Sequence, residues 1–287
     1  RDSSTSRGLG DVYKRQVKSP FDKKSQVYHL GNHRYMCKNT QKIFNVKNGT
    51  MFHGTKLPLR KWFVAIWLLI SHRKGISSLQ LSKDLKITQK TAWYMLQKIR
   101  TYLICKNQGV LSGEVECDET FVGGKNKNRH RDKKVKNARG RSFIDKTPVF
   151  GMLQRNGNII CRVVKNTSQN EITPHILKFV DKNYSVLYTD EWQGYNAVSK
   201  LFHHYSIDHG KGQYVDGRVY TNTIEGFWSI FKRGIIGIYH HLSRKHLQLY
   251  ANEFAFRYNT RKMSAYSRFR LLLRNIDYVI TYQEIIV

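Results

Sequence analysis

From Glu114 onward the chain runs through a fixed order of periodicities, and that order leaves few folds open. EVECDETFVGG (114–124) alternates as a strand does and ends in a glycine pair. TPVFGMLQRNGNIICRVVKNTS (147–168) predicts a hairpin turning at Asn156-Gly157. EITPHILKFVDKN (171–183) has helical spacing, SVLYTDEW (185–192) strand character, and QGYNAVSKLFHH (193–204) helical spacing again. HYSIDHG (204–210) predicts a short strand and TNTIEGFWSIFKRG (221–234) a last helix. Three antiparallel strands followed by helix, strand, helix, strand and helix imply an α/β fold, one mixed sheet flanked by helices.

This order matches the ribonuclease-H-like arrangement, in which carboxylates from the first strand, the end of the fourth and a later helix converge at one edge of the sheet. Asp118, Asp190 and Glu225 stand at those three places. One acidic residue is more often solvated surface than ligand. Three at matching element ends, in a chain with only 20 acids, reverse that expectation. Cleaving or transferring a phosphodiester needs an activated oxygen and relief of charge on the leaving oxygen. Two Mg²⁺ (or Mn²⁺) ions held by hard oxygen ligands provide both. Asp118 is the candidate bridge between the ions, with Asp190 and Glu225 each completing one site. Lys232 falls seven residues beyond Glu225, about two helical turns or ~10 Å along one face, where it can grip a phosphate. Asn222, one turn before Glu225, is an auxiliary oxygen ligand or a substitute for it. Glu116 should share the strand face of Asp118, whereas Glu119 and Glu191 should point away. The histidines lack the i,i+4 spacing around a Glu that a zinc hydrolase uses. Trp192 and Trp228 are better explained as core than as base-stacking, though Trp192, near a strand end, could do either.

The chemistry fits the charge. Lys and Arg number 50 against 20 Asp and Glu, a net charge of +30, which calls for a nucleic-acid or anionic-surface partner. With 40% hydrophobic and 13% aromatic residues the chain can still bury a core and is not a disordered basic tail. The longest apolar run, Trp62 to Ile70, is about half of what a membrane span needs, so no membrane role is expected. Cys37, Cys105, Cys117 and Cys161 are scattered, as reduced thiols of a cytoplasmic protein are. A basic insertion at 125–147 carries nine Lys and Arg between Lys125 and Arg141 without a hydrophobic period. It is expected to be disordered alone and to contact phosphates through Lys125, Lys127, Arg129, Arg131, Lys133 and Lys134. Arg233 is a further candidate DNA contact.

Upstream, helical spacing begins at Pro58 and runs to Gly75. A short helix capped at Ser78 then precedes a turn at Leu85-Lys86-Ile87 and a longer helix from Gln89, capped by Thr88. Ala92, Met95, Leu96 and Ile99 share one face of that second helix, and Gln89, Lys90, Thr91 and Tyr94 lie near its exposed start. The pair fits a helix-turn-helix with those four residues turned to DNA. Val27 to Phe52 predicts short strands and turns with a lone Cys37, and Thr40 stands where a CxxC pair would have its second cysteine. One Cys with His29 and His33 is too few soft ligands, so zinc is not expected. Residues 1–26 are expected to be non-native or disordered: RGLGDVYKRQ resembles translated sequencing-adapter read-through, and no apolar core of a signal peptide follows the charges.

GEVECDETFVGGK, TPVFGML, YTDEWQGY, the run from TNTIEGFWSIFKRG to NTRK and the upstream KGISSLQLSKDLKITQKTAWYMLQKIR together resemble the bacterial insertion-sequence transposases of family 1595. The resemblance covers Val27 to the C-terminus. It implies a DDE-type transposase with a zinc ribbon (27–57, degenerate here), a helix-turn-helix domain (58–108) and a ribonuclease-H-like catalytic domain (109–287). It also implies a third ligand, Glu or Asn followed by a Lys, that maps onto Glu225 and Lys232. The expected activity is strand cleavage at element ends and strand transfer to target DNA, by a homo-oligomer assembled on double-stranded DNA (terminal repeats and target) in the bacterial cytoplasm and associated with the nucleoid. The rival reading is a DNA-binding regulator or decayed transposase without activity; a plain ribonuclease-H-like nuclease would have no use for a separate end-binding module.

Overall fold

The computed structural model describes residues 17–103, 109–124, 130–134, 146–190, 193–195, 197–207 and 220–286. They divide into two compact units, one running to Leu59 and including Ile276–Tyr282, the other from Arg60 to Asn275 with the last residues.

The smaller unit is a three-stranded antiparallel meander, β1 (Val27–Gly31), β2 (Arg34–Cys37) and β3 (Ile43–Asn45). Gly31, Asn32 and His33 take positive φ at the first turn, a conformation that glycine and asparagine tolerate. Cys37, Phe44, Met51 and Phe52 form its core. Residues 17–26, grouped by the sequence with the first sixteen, pack here. Ser19 is buried and its Oγ accepts from the amides of Phe21 and Asp22.

The larger unit opens with three helices, α1 (Leu59–Ser71), α2 (Ser78–Leu85) and α3 (Gln89–Tyr102). Trp62, Ala65, Ile66, Leu69 and Ile70 bury one side of α1. The cap of α2 is Ser77, one residue earlier than expected, because its extended backbone lets Oγ accept from the Gln80 amide. Lys86 closes α2 in the left-handed conformation, and Thr88 caps α3 by accepting from the Thr91 amide. Ala92, Met95, Leu96 and Ile99 are all buried, as their shared face requires.

Five strands follow: β4 (Leu111–Val122), β5 (Thr147–Gln154), β6 (Ile159–Val163), β7 (Val180–Asp190) and β8 (His203–Ile207). Their order is β6-β5-β4-β7-β8, antiparallel among β4, β5 and β6 and parallel from β4 through β7 to β8. The first strand is therefore central, with the fourth beside it. The β5–β6 hairpin turns at Asn156-Gly157, where Asn156 has positive φ. Helix α4 (Gln169–Phe179) leads directly into β7, four residues before the helix was expected to end. The helix expected over 193–204 is instead two 3-10 turns, Gln193–Tyr195 and Val198–Lys200, because β8 begins at His203 to pair with Val186.

Alternation along the strands splits the core into two layers. Val115, Cys117, Phe150 and Met152 face Ile172 and Ile176 of α4 with Tyr195 and Val198. Val149, Leu153, Ile159 and Cys161 face Phe227, Trp228 and Phe231 of α5 (Asn222–Gly234) and Ala251 and Phe254 of α6 (Leu247–Asn259). Gly151 permits this second layer: a Cβ there would stand 2.5 Å from Trp228 Cζ2. It is also the residue paired with Asp118, so α5 approaches the sheet closely beside that carboxylate.

Candidate active site

Asp118 lies in the second half of the central strand β4, and Asp190 is the last residue of its parallel neighbour β7. The two strands pair in register up to Glu116 and Tyr188, which carries the two aspartates to the same level at the sheet's edge. Among the described residues, Asp118, Glu119 and Asp190 form a group whose ligand atoms lie within 4.8 Å of one another. Strand alternation predicted that Glu119 would point away. It does start on the α4 layer, where Tyr195 Oη donates to its Oε1 at 2.5 Å, yet its carboxylate still reaches the cluster. Alternation fixes only the side on which a side chain starts, and the long Glu119 side chain lets the carboxylate reach Asp118 and Asp190 all the same. Its amide also donates to Asp118 Oδ1 at 2.8 Å.

Burial, and then the Asp190 charge, push the Asp118 carboxyl up to about 7 despite that amide bond. Glu225 adds to the rise and Lys232 opposes it, so both residues of α5 act electrostatically on Asp118. Glu225 is exposed in the first turn of α5 and is not a member of the 4.8 Å group. The Thr221 hydroxyl donates to its Oε1 at 3.1 Å and so orients it. Asn222 is exposed at the first position of the same helix, and Lys232 and Arg233 are exposed in its last turn, with Arg233 Nε donating to the Ser229 carbonyl. Behind the strands, Thr189 and His204 share a 2.8 Å hydrogen bond, and burial lowers the His204 pKa. Trp228 is core, as expected, whereas Glu191 and Trp192 lie outside the described residues.

The proposed DNA contacts divide in the same way. Gln89 and Lys90 are exposed at the start of α3, and Thr91 and Tyr94 are half-buried. Gln89 Nε2 donates to Ser78 Oγ at 2.9 Å, Thr91 shares a hydroxyl bond with Thr88, and the Lys98 ammonium sits 5.7 Å from the Tyr94 ring. Gln89 and Thr91 thus also tie α3 to the turn and to α2. In the basic insertion, Arg131–Lys133 forms a single 3-10 turn, and Arg131 and Lys134 are exposed. Lys125, Lys127 and Arg129 lie outside the described residues.

In the smaller unit, burial tends to raise the Cys37 thiol, but bonds to the hydroxyls of Ser19, Ser25 and Thr40 and to the Thr40 amide bring it down to about 6. Hydroxyls surround this sulfur, and they are poor ligands for zinc, so the donor set does not fit that metal. The acidic cluster is different. Carboxylate oxygens alone, one of them reluctant to ionise without a compensating charge, suit a hard divalent cation.

A central strand and its parallel neighbour that together present carboxylates at a sheet edge, with a further acid on a nearby helix, define a class of protein with a site suited to a divalent cation. The chain matches the ISXO2-like transposase domain over residues 110–259, the stretch that contains this edge, and it belongs to that transposase family. It is 30% identical over 231 residues to an uncharacterized protein in transposable element ISH50 of Halobacterium salinarum, a match covering 76% of this chain and 77% of that protein. A crystal structure of the Mos1 strand transfer complex matches over 77% of each chain; at 12% identity and a TM-score of 0.30 that likeness carries no argument.

Sequence reasoning passed over Tyr195 and Thr221. Thr221 had a visible signal, a hydroxyl residue four positions before an acid at a helix start. Tyr195 acts on Glu119 across 76 residues and had none.

Proposed function

We propose that this chain is the DNA transposase of an insertion sequence, binding element ends and catalysing metal-dependent strand cleavage and strand transfer. The observation that carries the reading is the convergence of Asp118 and Asp190 from adjacent parallel strands, with Asp118 held at about 7 by burial and by its neighbour. The strand order, with three antiparallel strands and two parallel additions, supports the ribonuclease-H-like assignment.

Asp118, Asp190 and Glu225 would hold two Mg²⁺ or Mn²⁺ ions, which when bound activate the attacking oxygen and offset charge on the leaving oxygen. Thr221 orients Glu225 by donating to it. Lys232, exposed in the last turn of the same helix, would grip a phosphate, and Asn222 would offer an auxiliary oxygen. In cleavage a water oxygen bonds to phosphorus while the bond to the 3′ oxygen breaks, leaving a 3′-hydroxyl. In transfer that hydroxyl oxygen bonds to a target phosphorus, and the target's own 3′ oxygen leaves. Helices α2 and α3 serve as the helix-turn-helix within residues 58–108, and the basic insertion holds flanking or target DNA by counterion release. A homo-oligomer on double-stranded DNA would bring two ends together. Residues 27–57 act as a ribbon-like module without zinc, and 109–287 as the catalytic domain. No helix among the described residues is long and apolar enough to cross a membrane.

The test uses DNA from the regions flanking the gene. Asp118→Asn and Asp190→Asn should each abolish Mg²⁺-dependent cleavage while leaving the electrophoretic shift intact, since an amide fills the same volume but binds a hard cation poorly. Wild-type cleavage by either variant would sink the assignment.

A further inference from the structure

We propose that Glu116 is a positioning residue: with Arg155 it clamps the start of α5 to the central strand and thereby sets Glu225 opposite Asp118. This rests on the metal-site reading above and deepens it. Glu116 is two residues before Asp118 on the same strand face, about 7 Å away along β4. It is fully buried, with both carboxylate oxygens engaged. Oε1 accepts from Arg155 Nε at 2.8 Å. Oε2 accepts from the backbone amide of Ile224 at 2.9 Å, and Ile224 is the third residue of α5.

That second bond replaces an absent one. The first amides of a helix have no partner within it, and the residue before the helix ordinarily caps the third. Thr221 occupies the capping position but makes no side-chain cap bond, and its hydroxyl donates to Glu225 instead. A carboxylate from another element does the capping, where the helix dipole also favours a negative charge. The arrangement leaves Thr221 free to hold Glu225, while Glu116 fixes the helix one residue before that ligand.

Arg155 completes the clamp. It follows β5 in the hairpin, and its Nη2 donates to the Tyr220 carbonyl at 2.6 Å, just upstream of α5. Its guanidinium lies 4.2 Å from the Tyr188 ring and 3.6 Å from the Tyr220 ring. Tyr188 belongs to β7, two residues before Asp190. One buried ion pair thus ties together the strand of Asp118, the strand of Asp190 and the approach to the helix of Glu225.

Replacing the carboxylate by an amide breaks the arrangement without changing its size. Gln offers one acceptor oxygen where two donors arrive, so either Arg155 Nε or the Ile224 amide loses its Glu116 oxygen, while Arg155 keeps Glu114 at 3.5 Å and the Tyr220 carbonyl. Mn²⁺ binding to the full chain, followed by electron paramagnetic resonance, reads the consequence directly. Mn²⁺-dependent cleavage, DNA affinity and thermal unfolding are measured alongside. Glu116→Gln should raise the Mn²⁺ concentration for half-saturation by about tenfold or more, the scale of a lost charge-assisted bond, with DNA affinity within about twofold of wild type. Arg155→Lys, which keeps the charge but cannot reach Glu116 and Tyr220 together, should do the same to a smaller degree. Unchanged Mn²⁺ dependence with a lowered unfolding midpoint would overturn the proposal, because that is the signature of a merely structural pair. If Glu116→Gln does not fold, Arg155→Lys decides, and failure of both to fold would also overturn it. Asp118→Asn separates the two levels. If it binds Mn²⁺ as wild type does, the metal-site reading itself fails. If it loses Mn²⁺ while Glu116→Gln retains it, only the clamp fails.

Discussion

Asp118→Asn should stabilise the metal-free protein while destroying its capacity to be stabilised by cation. Burial, and then Asp190, raise the Asp118 carboxyl from 3.8 to about 7. A raised carboxyl contributes its full stability below the ordinary carboxylate range and loses it as pH rises through the folded value, because the folded state is then made to carry the charge. At about 1.4 kcal/mol per pKa unit the shift corresponds to about 4 kcal/mol at most. Solvent reaches this half-buried edge, so about 2 kcal/mol is the working figure. Asn carries no charge at any pH. In chelator near pH 8 the variant should therefore unfold about 4–8 °C above wild type, by the usual scaling for a unit of this size. The difference should shrink below about pH 7 and vanish toward pH 4. Added Mg²⁺ should raise the wild-type midpoint by mass action and leave the variant unmoved, reversing their order. Thermal unfolding by circular dichroism at two pH values, with chelator and with Mg²⁺, tests the whole sequence. Equal midpoints at pH 8 in chelator, or a gap independent of pH, would refute the electrostatic argument.

Other outcomes follow from particular residues. Glu225→Gln should abolish cleavage and Asn222→Ala should only weaken it; the opposite ranking in a cleavage assay would make Asn222 the third ligand. Glu253 is fully buried between Arg100 at 2.5 Å and Arg257 at 2.6 Å and accepts from Tyr239 Oη. Glu253→Gln would leave two buried guanidinium groups without a counter-charge and should cost about 3–5 kcal/mol in denaturant unfolding; an unchanged midpoint would show that water compensates them. Burial tends to raise that carboxyl, but the two arginines hold it below its ordinary range, so the wild-type contribution should persist down to acid pH. Replacing Gln89, Lys90 and Tyr94 together should reduce preference for element ends over random DNA, at about 1–3 kcal/mol for each side chain that reads a base edge. Equal weakening on both DNAs would reduce these residues to phosphate binders.

Much of the fold is written locally. Alternation marks β4, the Asn156-Gly157 pair marks the turn from β5 into β6, and Thr88 marks the start of α3, because each signal is spent within a few residues of where it is read. The order of those elements was enough to place Asp118 and Asp190 on neighbouring strands, where their carboxylates do come together, whereas Glu225 stays outside that group. Tertiary structure decided what local spacing cannot encode. The apolar spacing of Ala197, Val198 and Leu201 suits a helix, but pairing of β8 with β7 takes the segment's end at His203, and two short turns remain. Glu119 joins the cluster because its long side chain carries the carboxylate away from the side on which it starts, which alternation does not foresee. Glu116 finds Arg155 39 residues away and the Ile224 amide 108 residues away, while Glu253 finds Arg100 across 153. The charge of a buried acid requires a partner, and only the folded chain determines which one stands beside it.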